Sequence, residues 1–165
     1  MAKPRRAPRP RPKSRAELTA REAEAWAELT AAWRGLPDVA LQQPGACGPD
    51  WSVKDVMNHI AAWLEAAMRV IPELRRGRPA TAGHSVDRFN ALRHAEDQDR
   101  SLAATRRRLN VARRQVLALC DALPEKQILD YEGRIGWWIK YSTYGHYSEH
   151  LYELTEFRAR MTTGR

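Results

Sequence analysis

The sequence predicts an all-α fold, a four-helix bundle, and two observations carry that expectation. Four long stretches repeat apolar residues at steps of three, four or seven, the spacing that lines them up on one helix face. Between them lie Pro- and Gly-rich segments, and nowhere does a convincing strand pattern intervene.

With 165 residues the chain holds one domain with a real core, placed at residues 14–162. No apolar run approaches the roughly 20 residues needed to cross a bilayer. The N-terminus lacks a signal-peptide h-region, so the expected location is the cytoplasm. Residues 1–13 contain six basic side chains (Lys3, Arg5, Arg6, Arg9, Arg11, Lys13), four prolines and no acid, so most of the net charge of +8 sits in this arm. A Pro/Arg segment of this kind is expected to be disordered. The body is close to charge balance, which disfavours nucleic acid as a partner.

The first helix is expected from Ser14, where Ser14-Arg-Ala-Glu17 is a capping box. Leu18, Ala25, Trp26, Leu29, Trp33 and Leu36 form its stripe, with Glu22, Glu24 and Glu28 off it, and Gly35 and Pro37 end it. Residues 37–50 contain three prolines and two glycines and read as a connecting loop. A second helix starts at Ser52, with Asp55 in its first turn, and runs to about Ile71 before Pro72. Val56, Ile60, Trp63, Leu64 and Ala67 fill its apolar face, and His59 emerges at the edge of that face. Taken alone, His59 reads first as a structural histidine with a buried partner.

A crossover of residues 72–84 leads into a short helix capped by Ser85, with His84 and His94 read as surface histidines. The third long helix, from Ser101 to Pro124, has Leu102, Thr105, Leu109, Ala112, Val116, Leu119 and Leu123 as its stripe. Its arginines (Arg106, Arg107, Arg108, Arg113, Arg114) read mostly as a solvated face, because no stacking aromatics are interleaved with them. Cys120 reads as a core thiol, and Cys47, in the first loop, as an unpaired one.

The fourth helix is expected as one element from Trp137 to Met161, with Ile139, Thr143, His146, His150, Leu154, Phe157 and Met161 inward. His146 and His150 are one turn apart on one face. Two buried imidazoles need partners. With the helices as neighbours, His59 would complete a set of three neutral nitrogen ligands for a divalent ion, zinc first, with nickel or iron also open. The residue after His146 is Tyr147 rather than glutamate, so the His-Glu-x-x-His peptidase motif is absent. Glu149 reads as an exposed carboxylate or as support for a ligand's second nitrogen.

Trp51-Ser-Val-Lys-Asp-Val-Met-Asn-His59-Ile-Ala-Ala-Trp63 with His146-Tyr-Ser-Glu-His150 resembles the DinB-like superfamily of metal-binding four-helix bundles. Lys13-Ser-Arg-Ala-Glu-Leu18, Val86-Asp-Arg-Phe-Asn90-Ala and Asp99-Arg-Ser-Leu102 resemble its ClbS/DfsB subgroup. The resemblance implies an up-down-down-up bundle, a divalent metal on His59, His146 and His150, and a homodimer. Superfamily activities include transferase or isomerase reactions with low-molecular-weight thiols, and the subgroup implies protection against a small electrophile by ring opening. The expected function is metal-dependent, with water or a thiol attacking a small electrophile as a hydrolase or a transferase, and with Trp63, Trp137 or Tyr147 walling the pocket. A non-catalytic protein that sequesters a small molecule is the rival reading.

Overall fold

The computed structural model describes residues 10–163. Four long helices form the bundle: α1 (Arg15–Ala31), α3 (Val53–Arg75), α5 (Leu102–Ala122) and α8 (Tyr144–Thr163). Between them lie α2 (Asp38–Leu41), α4 (Val86–Asp97), α6 (Glu125–Ile128) and α7 (Ile135–Ser142). There is no strand among the described residues, only an isolated bridge between Cys47 and Trp51. Helix α1 packs on α8, α3 packs on α5 and α4, and α7 lies against both α3 and α8. No helix of the described residues is long and apolar enough to cross a membrane.

Serine starts four of these helices for one reason. The first amides of a helix have no partner within it, and a short hydroxyl in extended conformation reaches one of them. Ser14, Ser52, Ser85 and Ser101 accept from the amides of Glu17, Asp55, Arg88 and Ala104 at 3.2, 3.2, 3.4 and 3.3 Å. At Ser52 the box is complete, since its own amide donates to Asp55 Oδ2 at 2.8 Å. At Ser14 the returning bond lands one residue earlier, from the Lys13 amide to Glu17 Oε2.

Several expected boundaries move. Helix α1 ends at Ala31, and the turn through Gly35, at φ 80°, takes over from it. The first loop contains the single turn α2. Helix α3 runs past Pro72 to Arg75, so the proline lies in the last turn and does not end the helix. The fourth predicted helix is two, α7 and α8, broken at Thr143. Residues 1–9 of the basic arm lie outside the described residues. Of the rest, Pro12 is buried, Arg11 lies over the Tyr131 ring at 4.6 Å, and Arg21 donates to the Pro10 carbonyl.

Charged groups inside the bundle depart most from the helical-wheel expectation. Glu22 is 1% exposed and receives both Arg113 Nε and Nη2 at 2.7 Å, tying α1 to α5. Arg108 forks onto Glu65 at 2.7 and 2.8 Å and reaches Asp97 at 2.5 Å, tying α5 to α3 and α4. These two arginines therefore belong to the interior and not to a solvated face. Each is admitted there by a carboxylate from a neighbouring helix, which the stripe of its own helix cannot reveal.

Candidate metal centre

Three elements bring the histidines together. His59 sits two turns into α3, beyond the capping box that fixes that helix's start. His146 and His150 lie in the first two turns of α8, whose direction is set by the break at Thr143, with φ −120° and ψ −118°. The Thr143 hydroxyl donates to the Ile139 carbonyl at 2.5 Å, closing α7. Gly145 makes the break compact, since a β-carbon there would lie 2.8 Å from the Lys140 carbonyl oxygen. The glycine next to His146 is thus required by a close approach of backbone to backbone.

The result is a tight group of ring nitrogens. His146 Nε2 lies 2.8 Å from His59 Nε2 and 3.1 Å from His150 Nε2. His59 and His146 are buried and His150 is half-buried. Burial, reinforced by the neighbouring His150 and His94, pushes the His59 imidazole down to about 3. Burial likewise holds His146 well below the usual histidine range, with His150 and His59 adding to it. The three histidines thus offer ring nitrogens within 4.8 Å of one another, with His59 and His146 held as neutral imidazoles at neutral pH. His146 Nδ1 is buried without a hydrogen-bond partner among the described residues, so no acceptor there dictates its tautomer.

These residues fit a divalent ion. Neutral imidazole is a ligand for zinc and its neighbours, and three nitrogens about 2.0–2.1 Å from one tetrahedral centre lie about 3.3 Å apart. The observed spacings are a few tenths of an ångström short of that. A second group of potential ligands, Cys47, His150 and Glu153, lies beside the first and shares His150 with it.

A cavity of about 250 Å³ opens onto the histidines. Trp63, Trp137, Trp138, Asn90, Tyr141 and Glu149 line it with them. Trp63 Nε1 donates to Asn90 Oδ1 at 2.9 Å, which fixes both side chains. Trp137 is 41% exposed and stacks at a tilt on Tyr141, with 4.5 Å between ring centroids. Of the pocket residues expected from the sequence, Trp63, Trp137 and the exposed Glu149 are on the lining. Tyr147 is not: it is fully buried on the other side of α8, edge-on to Trp26 of α1 at 5.5 Å. One residue along a helix is about 100° of rotation, so a neighbour of His146 turns away from what His146 faces.

Sequence reasoning missed Trp138, Asn90 and the first loop. Trp51, which ends that loop, meets the His59 ring edge-on at 5.1 Å and stacks on His94 at 4.8 Å. His94 is therefore part of the wall behind His59, with its Nε2 3.9 Å from Asp55 Oδ1, and not a plain surface histidine. The signal was present in Trp51 directly before a helix cap, but nothing in the sequence says which way a loop aromatic folds.

A family model described as the DinB superfamily matches residues 5–153. The chain belongs to the DinB superfamily. No curated protein matches it by sequence. Among solved structures, this DinB-superfamily chain is similar to an uncharacterised protein of Escherichia coli UTI89, at a TM-score of 0.75 and 15% identity over 91% of this chain and 95% of that one. It is also similar to the colibactin self-resistance protein ClbS in complex with a dsDNA, at 0.73 and 15% over 88% and 96%. A third is DfsB, described as a sibling lethal factor precursor, at 0.67 and 18% over 93% and 95%. At these identities the likeness is one of fold.

Proposed function

We propose that this DinB-superfamily protein acts on a small electrophile in the cavity beside His59, His146 and His150, with a divalent ion held by those three side chains. The observation that carries the reading is the convergence of three Nε2 atoms, at 2.8 and 3.1 Å, on the lining of an aromatic-walled cavity. When bound, the ion would supply Lewis-acid chemistry and lower the pKa of a water or thiol beside it. The protein's own part is to keep the His59 and His146 imidazoles neutral by burial, to exclude water with Trp63 and Trp138, and to offer Trp137 and Tyr141 as a surface on which a flat substrate stacks. Among the described residues neither cysteine is in a disulfide, in keeping with a role in the cytoplasm. The folds of ClbS and DfsB support a protective role, since ClbS is itself a self-resistance protein.

Metal analysis of protein produced with added Zn²⁺ and Ni²⁺ tests the reading. One equivalent per chain in the wild type, lost in His146→Ala, is expected; no stoichiometric metal in the wild type overturns it. Sequestration without catalysis is distinguished by turnover, since a binder consumes at most one equivalent of electrophile per chain. The homodimer implied by the family resemblance is tested by sedimentation of the same protein.

A second reading is favoured by one observation. ClbS is seen with a dsDNA, and the present chain carries a net charge of +8, largely in its N-terminal arm. Nucleic acid, disfavoured from the sequence, therefore returns as a partner to test. Binding to duplex DNA that weakens steeply with salt and is lost on deleting residues 1–13 supports it; unchanged affinity after the deletion removes the arm from that role.

A further inference from the structure

The loop between α2 and α3 reaches the histidine cluster without lining the cavity: its Trp51 meets His59 and its Cys47 meets His150. Its path is fixed by backbone. The amides of Gly45, Ala46 and Cys47 all donate to the Trp51 carbonyl, at 3.1, 2.8 and 3.3 Å. Gly45 and Gly48 sit at φ 100° and 68°, a region that favours glycine. Arg160 of α8 donates to the Gly45 carbonyl at 2.7 Å, pinning the loop to the same helix that carries His150.

This places Cys47 Sγ 3.8 Å from His150 Nδ1 and 2.9 Å from Glu153 Oε2. The direction of each bond follows from chemistry. A carboxylate only accepts, so the thiol hydrogen goes to Glu153. The sulfur is then left with lone pairs toward His150, so the hydrogen between them must belong to Nδ1. A neutral imidazole protonated on Nδ1 bears its lone pair on Nε2, the atom that faces His146 at 3.1 Å. Cys47 is not on the cavity lining, which argues against its being a nucleophile toward a substrate there.

We propose that Cys47 and Glu153 are positioning residues for His150: the relay Nδ1–H to Sγ–H to carboxylate holds that ring in the tautomer and orientation that turn Nε2 toward His59 and His146. Its consequence for metal affinity rests on the metal reading above; its consequence for the tautomer does not.

Two measurements separate these. Long-range ¹H–¹⁵N correlations of the histidine rings in metal-free protein report the tautomer directly. His150 is expected as the Nδ1–H form in the wild type and in Cys47→Ser, and as a mixture in Cys47→Ala. An Nε2–H His150 in the wild type, or a Cys47→Ala spectrum identical to it, overturns the proposal. Zn²⁺ affinity by chelator competition is expected to fall about 10-fold or more in Cys47→Ala and in Glu153→Ala, and to remain within a few-fold in Cys47→Ser. The double variant should lose no more than the worse single one, because both break one relay. Equal affinity for Cys47→Ala and wild type, at matched thermal midpoints, overturns the relay as a support for binding. Two equivalents of Zn²⁺ per chain, or a sulfur-to-cobalt charge-transfer band in Co²⁺-loaded protein, would make Cys47 a ligand and overturn its role as a positioning residue. Should the wild type bind no metal, the metal reading falls while the ring spectra still decide the tautomer.

Discussion

Replacing Gly145 by alanine separates local propensity from tertiary geometry, because the two predict opposite signs. Glycine within a helix is disfavoured relative to alanine by up to about 1 kcal/mol, so a helix considered alone is stabilised by Gly145→Ala. In the folded protein the added β-carbon would stand 2.8 Å from the Lys140 carbonyl oxygen and 3.2 Å from Lys140 Cγ. Ordinary contacts between heavy atoms lie near 3.5 Å, so α7 and α8 must separate by several tenths of an ångström. The carbonyl is backbone in a closed helix and cannot swing aside as a side-chain end would. Overpacking of this kind costs about 1–3 kcal/mol, which outweighs the propensity gain and leaves a net loss of about 1 kcal/mol. For a chain of this size that lowers the thermal midpoint by about 2–4 °C. Urea unfolding of metal-free protein followed by circular dichroism measures it, and the same sample gives the effect on His146 through its ring resonances. A variant as stable as the wild type or more so would refute the claim that the break between α7 and α8 requires a glycine.

Two further expectations concern groups inside the bundle. Arg113→Met strands the Glu22 carboxylate in the interior, and breaking a buried pair in this way costs about 3–5 kcal/mol; in Glu22→Leu/Arg113→Met most of that loss should be recovered in urea midpoints, and a double variant as unstable as the single one contradicts the account. Acid should destabilise the metal-free protein through His59, whose imidazole falls from 6.5 to about 3 on folding. Between those values the unfolded chain binds the extra proton, so stability is full above 6.5 and declines as the pH falls, by at most about 1.4 kcal/mol per pH unit. His146 shifts in the same direction. Denaturation at a series of pH values, with His59→Asn as the comparison, should show a shallower acid slope in the variant; equal slopes would mean that His59 is not held neutral by the fold.

Much of the fold was legible because it rests on near-neighbour chemistry. Serine caps and apolar spacing mark the long helices, and both act within a few residues along the chain. The candidate ligands were legible for a related reason: a histidine on an inward stripe must find a partner, and three inward histidines on two helices leave few arrangements. Tyr147 shows where this reasoning stops. Its adjacency to His146 suggested the pocket, but adjacency on a helix places a side chain a third of a turn away, and Tyr147 is buried against Trp26 instead. Glu22, Arg108 and Arg113 were assigned to the surface because single-helix periodicity treats every charge as solvated, whereas each is buried or half-buried beside an opposite charge from another element.

By itself, then, the sequence determined that this chain is a bundle of amphipathic helices and that His59, His146 and His150 are its candidate ligands. Tertiary structure alone decided that the fourth helix breaks at Thr143, that Gly145 lets the two halves meet, and that Trp51 and Cys47 close round the histidines from a loop that read as a mere connection. The physical reason is range. Helix periodicity and capping are set by residues three and four apart, while the seat of the first loop is set by groups more than a hundred residues away, His150 beside Cys47 and Arg160 on Gly45.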